Sequence, residues 1–326
     1  MEAFNRKKIK ILPLAERENK ITIKNIYQLD DKIPEYQCSD LDVLVKKVVN
    51  AKKNGSPVIW MMGAHVIRRG NSRFIIDLME KGFITHIATN GAGAIHDFEF
   101  AYQGSTCEDV EYYIKDGRFG NWQETGQVIN SAVKEGYKNN LGYGQSVGRE
   151  IYSSNFKHKN LSVFANAYSL DIPITVHVGI GQDIIHQHPS ADYAAIGGAS
   201  GRDFLIFANS ISKLEGGVFL NLGTQVMGPE VYLKALSMAR NVAAQKKESI
   251  KNFTTAVFDI INLRNWKKEK DIVNYKKIGA LNDQRYYFRP LKSILVRTVK
   301  DGGESFYIKG DFNITVPNLY KKLIQS

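Results

Sequence analysis

The stretch IATNGAGAIHDFEFAY, residues 87–102, carries the reading of this chain. Ile84, Ile87 and Ala88 form an apolar lead-in, Asn90-Gly91-Ala92-Gly93-Ala94 a small-residue turn, and His96, Asp97 and Glu99 follow on an expected helix. A strand that ends in such a turn and opens a helix points backbone N–H groups at one spot, where the helix end adds partial positive charge. A phosphate can bind there, and a plain strand–helix connection can use the same residues. The spacing matches neither G-x-G-x-x-G nor G-x-x-x-x-G-K-[ST].

Working outward, strand and helix patterns alternate. Leu41, Leu44, Val45, Val48 and Val49 recur at helical spacing, with Ser39 or Asp40 as cap and Asn54-Gly55 as stop. Residues 57–62 form an apolar strand that ends at Gly63-Ala64-His65. Phe74, Ile75, Leu78 and Met79 mark a second helix, closed by Gly82. Beyond a Gly- and Tyr-rich region at 105–155, strands are expected at 174–178, 217–222, 253–261 and 305–308. Residues 162–167 read as a strand or a helix end; helices are expected at 204–214, from Pro229 to 244, and after Pro317. The expected fold class is therefore α/β, a Rossmann-like, mostly parallel sheet with helices on both faces. Residues 1–39 read as an N-terminal extension, 40–326 as one domain, and 264–285 as a charged insertion. Gly63, Asn90 to Gly93, Gly179 to Gly181, Gly223-Thr224 and Gly310-Asp311 all follow strands. Their convergence on the carboxyl edge of a parallel sheet predicts a cofactor cleft.

Composition narrows the class. The 326 residues carry a formal charge of +11, but the basic residues are dispersed as pairs such as Lys46-Lys47 and Lys246-Lys247. That pattern predicts a solvated lysine-rich surface rather than a nucleic-acid track. The apolar runs are too short to span a membrane, and the start MEAFNRKKIKIL lacks the apolar core of a secretory signal. Cys38 and Cys107 cannot make a disulfide framework, so a cytoplasmic, reduced protein is expected.

These motifs, in this order, resemble the deoxyhypusine synthase family and its homospermidine synthase relatives. The family's T-A-G-G-V-E-E-D-F is similar to residues 90–98, its S-N-L-I-S-S-G to 64–70, its G-S-x-G-D to 179–183, its G-V-I-I-L-G-G-G to 217–224, and its D-A-S-L-V-F-P-L-L to 311–319. The resemblance runs from about Asp40 to the C-terminus. It implies NAD as cofactor, a homotetramer, and cofactor contacts at Ala64, His65, Asn90, Gly91, Ala92, Gly93, His96, Asp97, Gly179, Asp183, Gly223, Thr224 and Asp311. The implied substrate is a small polyamine-like amine, and the implied reaction is hydride transfer to NAD. This sequence departs from the family in two places. No W-G-K segment with its imine-forming lysine precedes the last strand, and V-V-K-H-H is replaced by Val226-Met227-Gly228-Pro229-Glu230. The expectation is thus an NAD-dependent transferase or oxidoreductase acting on an amine, the alternatives being a nucleotide-binding regulatory protein or an RNA-associated basic protein.

Four residues are catalytic candidates. His186 and His188 in HVGIGQDIIHQHP can act as acid or base near neutral pH; with Asp183 they could also ligate a metal or simply brace a loop, and no metal is assigned. Glu230 is the acid nearest a strand-end cleft, although an i, i+4 pair with Lys234 explains it equally. Lys292, between Pro290 and Ile294, is the candidate for an imine-forming lysine. Arg68 and Arg69, behind His65, can meet a phosphate or carboxylate or lie on the surface.

Overall fold

The computed structural model describes residues 1–267 and 283–326. Within them, the strands in chain order are β1 (Asn19–Thr22), β2 (Val58–Met62), β3 (His86–Thr89), β4 (Ser105–Glu108), β5 (Ile174–Val176), β6 (Val218–Leu222), β7 (Thr254–Asp259) and β8 (Glu304–Lys309). The helices are α1 (Ser39–Lys53), α2 (His65–Arg68), α3 (Ser72–Glu80), α4 (Gly91–Gln103), α5 (Val110–Ile114), α6 (Gln123–Lys138), α7 (Tyr143–Ser153), α8 (Val163–Ser169), α9 (Tyr193–Ile211), α10 (Met227–Gln245) and α11 (Phe312–Ile324).

Six strands make one sheet in the order β5-β3-β2-β6-β7-β8, every pair parallel. Numbered among themselves, these strands run 3-2-1-4-5-6, the Rossmann order. The expected α/β class is therefore present. Side chains alternate between two cores, as the pleat requires. Val58, Trp60 and Met62 of β2 enter one, with α1, α3, α4 and α11. Ile59 and Met61 enter the other, with α9 and α10. Burial on both faces explains why β2 reads as an unbroken apolar run and β6 as one interrupted only by Asn221.

Some boundaries differ from the sequence expectations. Residues 163–169 are helical because Ser162 caps them, its Oγ accepting from the Ala165 N–H. The last helix begins at Phe312, five residues before Pro317, because Asp311 caps it by accepting from the Asn313 N–H. Pro317 lies inside that helix. Of the charged insertion, residues 268–282 lie outside the described residues.

Residues 1–39 lie against the rest of the chain through specific contacts. β1 pairs antiparallel with β4, Asn19 opposite Glu108. Arg17 reaches a buried position beside α4. The Tyr27 N–H donates to the Gly70 carbonyl.

Candidate active site

Five small-residue turns leave the carboxyl edge of the sheet. They follow β2 at Gly63, β3 at Asn90, β5 at Gly179, β6 at Gly223 and β8 at Gly310. The chain reverses its direction of strand addition between β2 and β6, so the crevice outside those two strand ends is the topological switch point. There the Gly63 N–H donates to the Leu222 carbonyl at 2.9 Å. A Cβ on Gly63 would collide with the Gly223 carbonyl oxygen, and Gly223 itself has φ +62° beneath the Phe312 ring. Only glycine allows these two strand ends to approach so closely. Thr224 Oγ1 accepts from the Gly228 N–H at 2.9 Å and fixes the start of α10. Across the crevice mouth Arg69 pairs with Asp311 at 3.0 Å. Ala64 is buried, whereas His65 is exposed behind it with Arg68 and Arg69 following.

The turn after β3 is closed by the protein's own side chains. Asn90 caps α4 by accepting from the Gly93 N–H at 3.1 Å. The Asp183 carboxylate lies directly over Gly91, in the space a Cβ would need, and accepts from the Ala92 N–H. The anion at this helix end is thus a protein carboxylate, which the helix dipole favours. Burial raises the Asp183 pKa to about 6 against the lowering effect of that N–H. Asp97, an expected cofactor contact, is instead engaged by α8. It accepts from the Ser162 hydroxyl, the Val163 N–H at 2.7 Å and the Phe164 N–H at 3.2 Å, and so caps α8. Burial raises its pKa to about 7.

Beside the turn lies a cavity of about 210 Å³, lined by His96, Asp183, Gln182, Arg68, Cys107 and Glu108 among polar residues, with Ile95, Val110, Phe119 and Ile184 as apolar wall. That volume is below the range of drug-sized sites and suits a small metabolite. Arg68 Nη1 lies 3.9 Å from Cys107 Sγ, and Cys107 adopts φ +73°, a left-handed conformation that is costly for a side-chain-bearing residue. Arg17 and Glu99 also reach the cavity wall, as part of a buried network. Arg17 donates from Nη1 and Nη2 to the two oxygens of Glu99 at 2.8 and 2.7 Å, each side chain 1% exposed. Thr106 donates to Glu99 Oε2 at 2.5 Å and Thr125 to Oε1 at 2.8 Å. Burial pushes the Glu99 pKa up, but the Arg17 charge and these bonds outweigh it, and the net shift is down.

The other candidates are distributed differently. The ring of His186 accepts at Nδ1 from the Gly181 and Asp183 N–H groups, at 3.1 and 3.3 Å, leaving Nε2 3.7 Å from Asp183 Oδ2. His188 uses Nδ1 on Ser190 at 2.6 Å, and its ring packs where a Cβ of Gly126 would be. Neither ring lines the 210 Å³ cavity; both brace the loop that carries Asp183. Glu230 binds Lys234 and Arg289, and Lys292 lies 4.1 Å over the Tyr286 ring. Burial, then Arg297 and Arg289, lower the Lys292 pKa. Glu230 and Lys292 share this neighbourhood on the β6–β7 side and do not line the cavity beside β3. Among the described residues, no group of three His, Cys, Asp or Glu side chains is placed to hold a metal ion, and no helix is long and apolar enough to cross a membrane.

Sequence reasoning assigned no site role to Arg17, Thr106, Gln182, Cys107 or Glu108. Arg17 lies 82 positions from Glu99, and no local pattern announces such a pair.

No protein-family model and no curated protein match this chain. Solved structures do. ArgZ, an arginine dihydrolase from the ornithine–ammonia cycle in cyanobacteria, aligns at a TM-score of 0.52 and 15% identity, over 87% of this chain and 32% of ArgZ. A point mutant of AgrE in binary complex with L-arginine aligns at 0.51 and 15%, over 89% of this chain and 34% of AgrE. A conserved protein designated LOR/SDH from Methanococcus maripaludis S2 aligns at 0.50 and 14%, over 91% of this chain and 73% of that protein. This chain spans about a third of the length of ArgZ and AgrE. At these identities the likeness is one of fold, and these neighbours are not deoxyhypusine synthases.

Proposed function

We propose that this chain is an NAD-dependent enzyme that oxidises a carbon bearing an amine on a small substrate. One observation carries the reading: a six-stranded sheet in Rossmann order whose switch-point crevice is bounded by Gly63-Ala64-His65 and Gly223-Thr224. Ligands of open α/β sheets sit at that crevice. The residues fit a dinucleotide: the strand ends are small, and the exposed Arg69 guanidinium at the rim can meet its phosphates. When bound, NAD would supply a hydride acceptor; the chain supplies the cradle, and the 210 Å³ cavity beside the β3 turn would hold the substrate. AgrE has been solved with ornithine and NAD⁺, but that form aligns at a TM-score of only 0.48, so the proposal rests on the cleft.

The cavity favours oxidation over imine-based transfer. No lysine is among its described lining residues; of the two lysines in residues 286–303, Lys292 lies over Tyr286 elsewhere and Lys300 is exposed. We therefore read the family resemblance as one of fold and cofactor, with the aminobutyl-transfer reaction and the homotetramer left to test. Denaturing the purified protein and analysing the released small molecules tests the cofactor. Incubation with NAD and a panel of diamines and amino acids then tests the reaction. Growth of NADH absorbance marks a dehydrogenase; new amine products without net NADH mark a transferase; no NAD-dependent change with any amine overturns the reading.

A further inference from the structure

The hydrogen bonds behind the cavity set the state of one residue that faces it. Glu99 is ionised, so its oxygens only accept, and Thr106 must donate its hydroxyl proton to Oε2. The Thr106 oxygen, 2.8 Å from His96 Nδ1, can then only accept, and Nδ1 carries the ring proton. His96 Nε2 is left as a lone pair at the cavity wall. The relay begins at Arg17, so the N-terminal segment controls a tautomer at the sheet edge.

We propose that His96 is the proton-accepting catalytic residue of this cavity, and that the cavity takes a small molecule bearing both a carboxylate, received by Arg68, and an ammonium, received by Asp183 and His96. At His96 an N–H bond of the bound ammonium breaks, an N–H bond forms at Nε2, the amine keeps the electron pair, and the ring becomes an imidazolium. The oxidation that follows belongs to the function proposed above and rests on it. Arg68 Nε is buried without a partner, which marks a guanidinium with donor capacity to spare. Gln182 and Asp183 face it from the loop after β5, and Ile95, Val110 and Phe119 give the cavity an apolar wall.

The charges around His96 give the site a built-in coupling. Burial lowers its pKa to about 4; Glu99 on α4 raises it, whereas Arg68 and His65 on α2 and Arg17 lower it. Asp183, Glu108 and Cys107 also line the cavity. A carboxylate bound at Arg68 neutralises one of the charges that hold His96 down. The carboxylate half of the substrate thus moves Nε2 toward the neutral range where a general base works best, while the ammonium is the proton donor it faces.

The first part of the test needs no NAD. Protein with ¹⁵N-labelled histidine is titrated by NMR, alone and with L-alanine, propionate or n-propylamine, and the His96 signals are assigned by their loss in His96→Gln. The expected result is an Nδ1–H, Nε2-unprotonated ring at pH 7, with a pKa that rises by at least one unit with propionate, does not rise with n-propylamine, and does not rise with propionate in Arg68→Leu. Thr106→Val, which keeps the imidazole, should release the ring into a mixture of tautomers, with NAD-dependent turnover falling at least tenfold and NAD binding unchanged. A ring protonated at Nε2 in the wild type, or a His96 pKa indifferent to all three ligands, overturns the proposal. Absence of NAD binding with the expected His96 behaviour instead overturns the cofactor reading and leaves the relay standing.

Discussion

Arg17 and Glu99 form a two-point ion pair, Nη1 and Nη2 to Oε1 and Oε2, with both side chains 1% exposed and 82 positions apart. The pair joins the N-terminal segment to the helix that carries His96. Removing the cation alone leaves Glu99 buried and uncompensated. Arg17→Met should cost about 3–5 kcal/mol in urea unfolding. Arg17→Met with Glu99→Met should recover much of that loss. Equal stability of the single and double variants would show that the pair does not act as a unit.

The close approach of Gly63 to Gly223 makes a second prediction. Gly63→Ala drives a methyl into a backbone oxygen and must separate the ends of β2 and β6. NAD affinity should fall at least tenfold if the dinucleotide lies across that crevice. Gly197→Ala is the control, because its new methyl meets nothing within 4 Å on the exposed side of α9. It should leave binding unchanged and stabilise the helix by up to ~1 kcal/mol.

Asp97 separates a structural role from a cofactor role. It caps α8 through three donors, so Asp97→Ala should destabilise the fold by ~3 kcal/mol through the lost cap and the orphaned N–H groups. NAD affinity per folded molecule should not change. A selective loss of NAD binding at full stability would restore the cofactor contact expected from the sequence.

His86 predicts an acid-sensitive contribution to stability. Its ring lies between Ser210, at 2.7 Å, and Thr175, at 3.0 Å, fully buried. Burial, then His177, lower its pKa from the ordinary 6.5 to about 3. Between pH 3 and 6.5 the unfolded chain therefore binds a proton that the folded chain does not, and stability falls as pH falls through that window. Replacing His86 by Gln should flatten this part of the curve. Urea midpoints at pH 4.5 and pH 7 measure it; an identical pH slope in the variant would contradict the assignment.

What the sequence alone could reveal depended on the range of the interaction. The apolar runs of β2 and β6 announced strands buried on both faces, and five small-residue strand ends announced the active edge of a parallel sheet. The turn at residues 90–93 was placed at that edge by local pattern alone, but what fills it, Asp183, comes from a loop far along the chain. Asp97 and His96 are neighbours in sequence, yet a helix turns them about 100° apart. One caps α8 and the other faces the cavity, so a shared role could not be assigned from adjacency. His186 and His188 drew notice as a dense cluster; in the fold their Nδ1 atoms are spent on loop contacts. The proton acceptor proposed here depends on Thr106, Glu99 and Arg17, a relay assembled only by tertiary structure.

A dinucleotide in the crevice between β2 and β6 underlies the proposed oxidation. Calorimetric titration of NAD into protein freed of bound small molecules detects it without any assumption about the substrate. Saturable binding at one site per chain is expected, weakened at least tenfold by Gly63→Ala and unaffected by Gly197→Ala. No heat of binding with millimolar NAD, or binding that Gly63→Ala leaves intact, would contradict it.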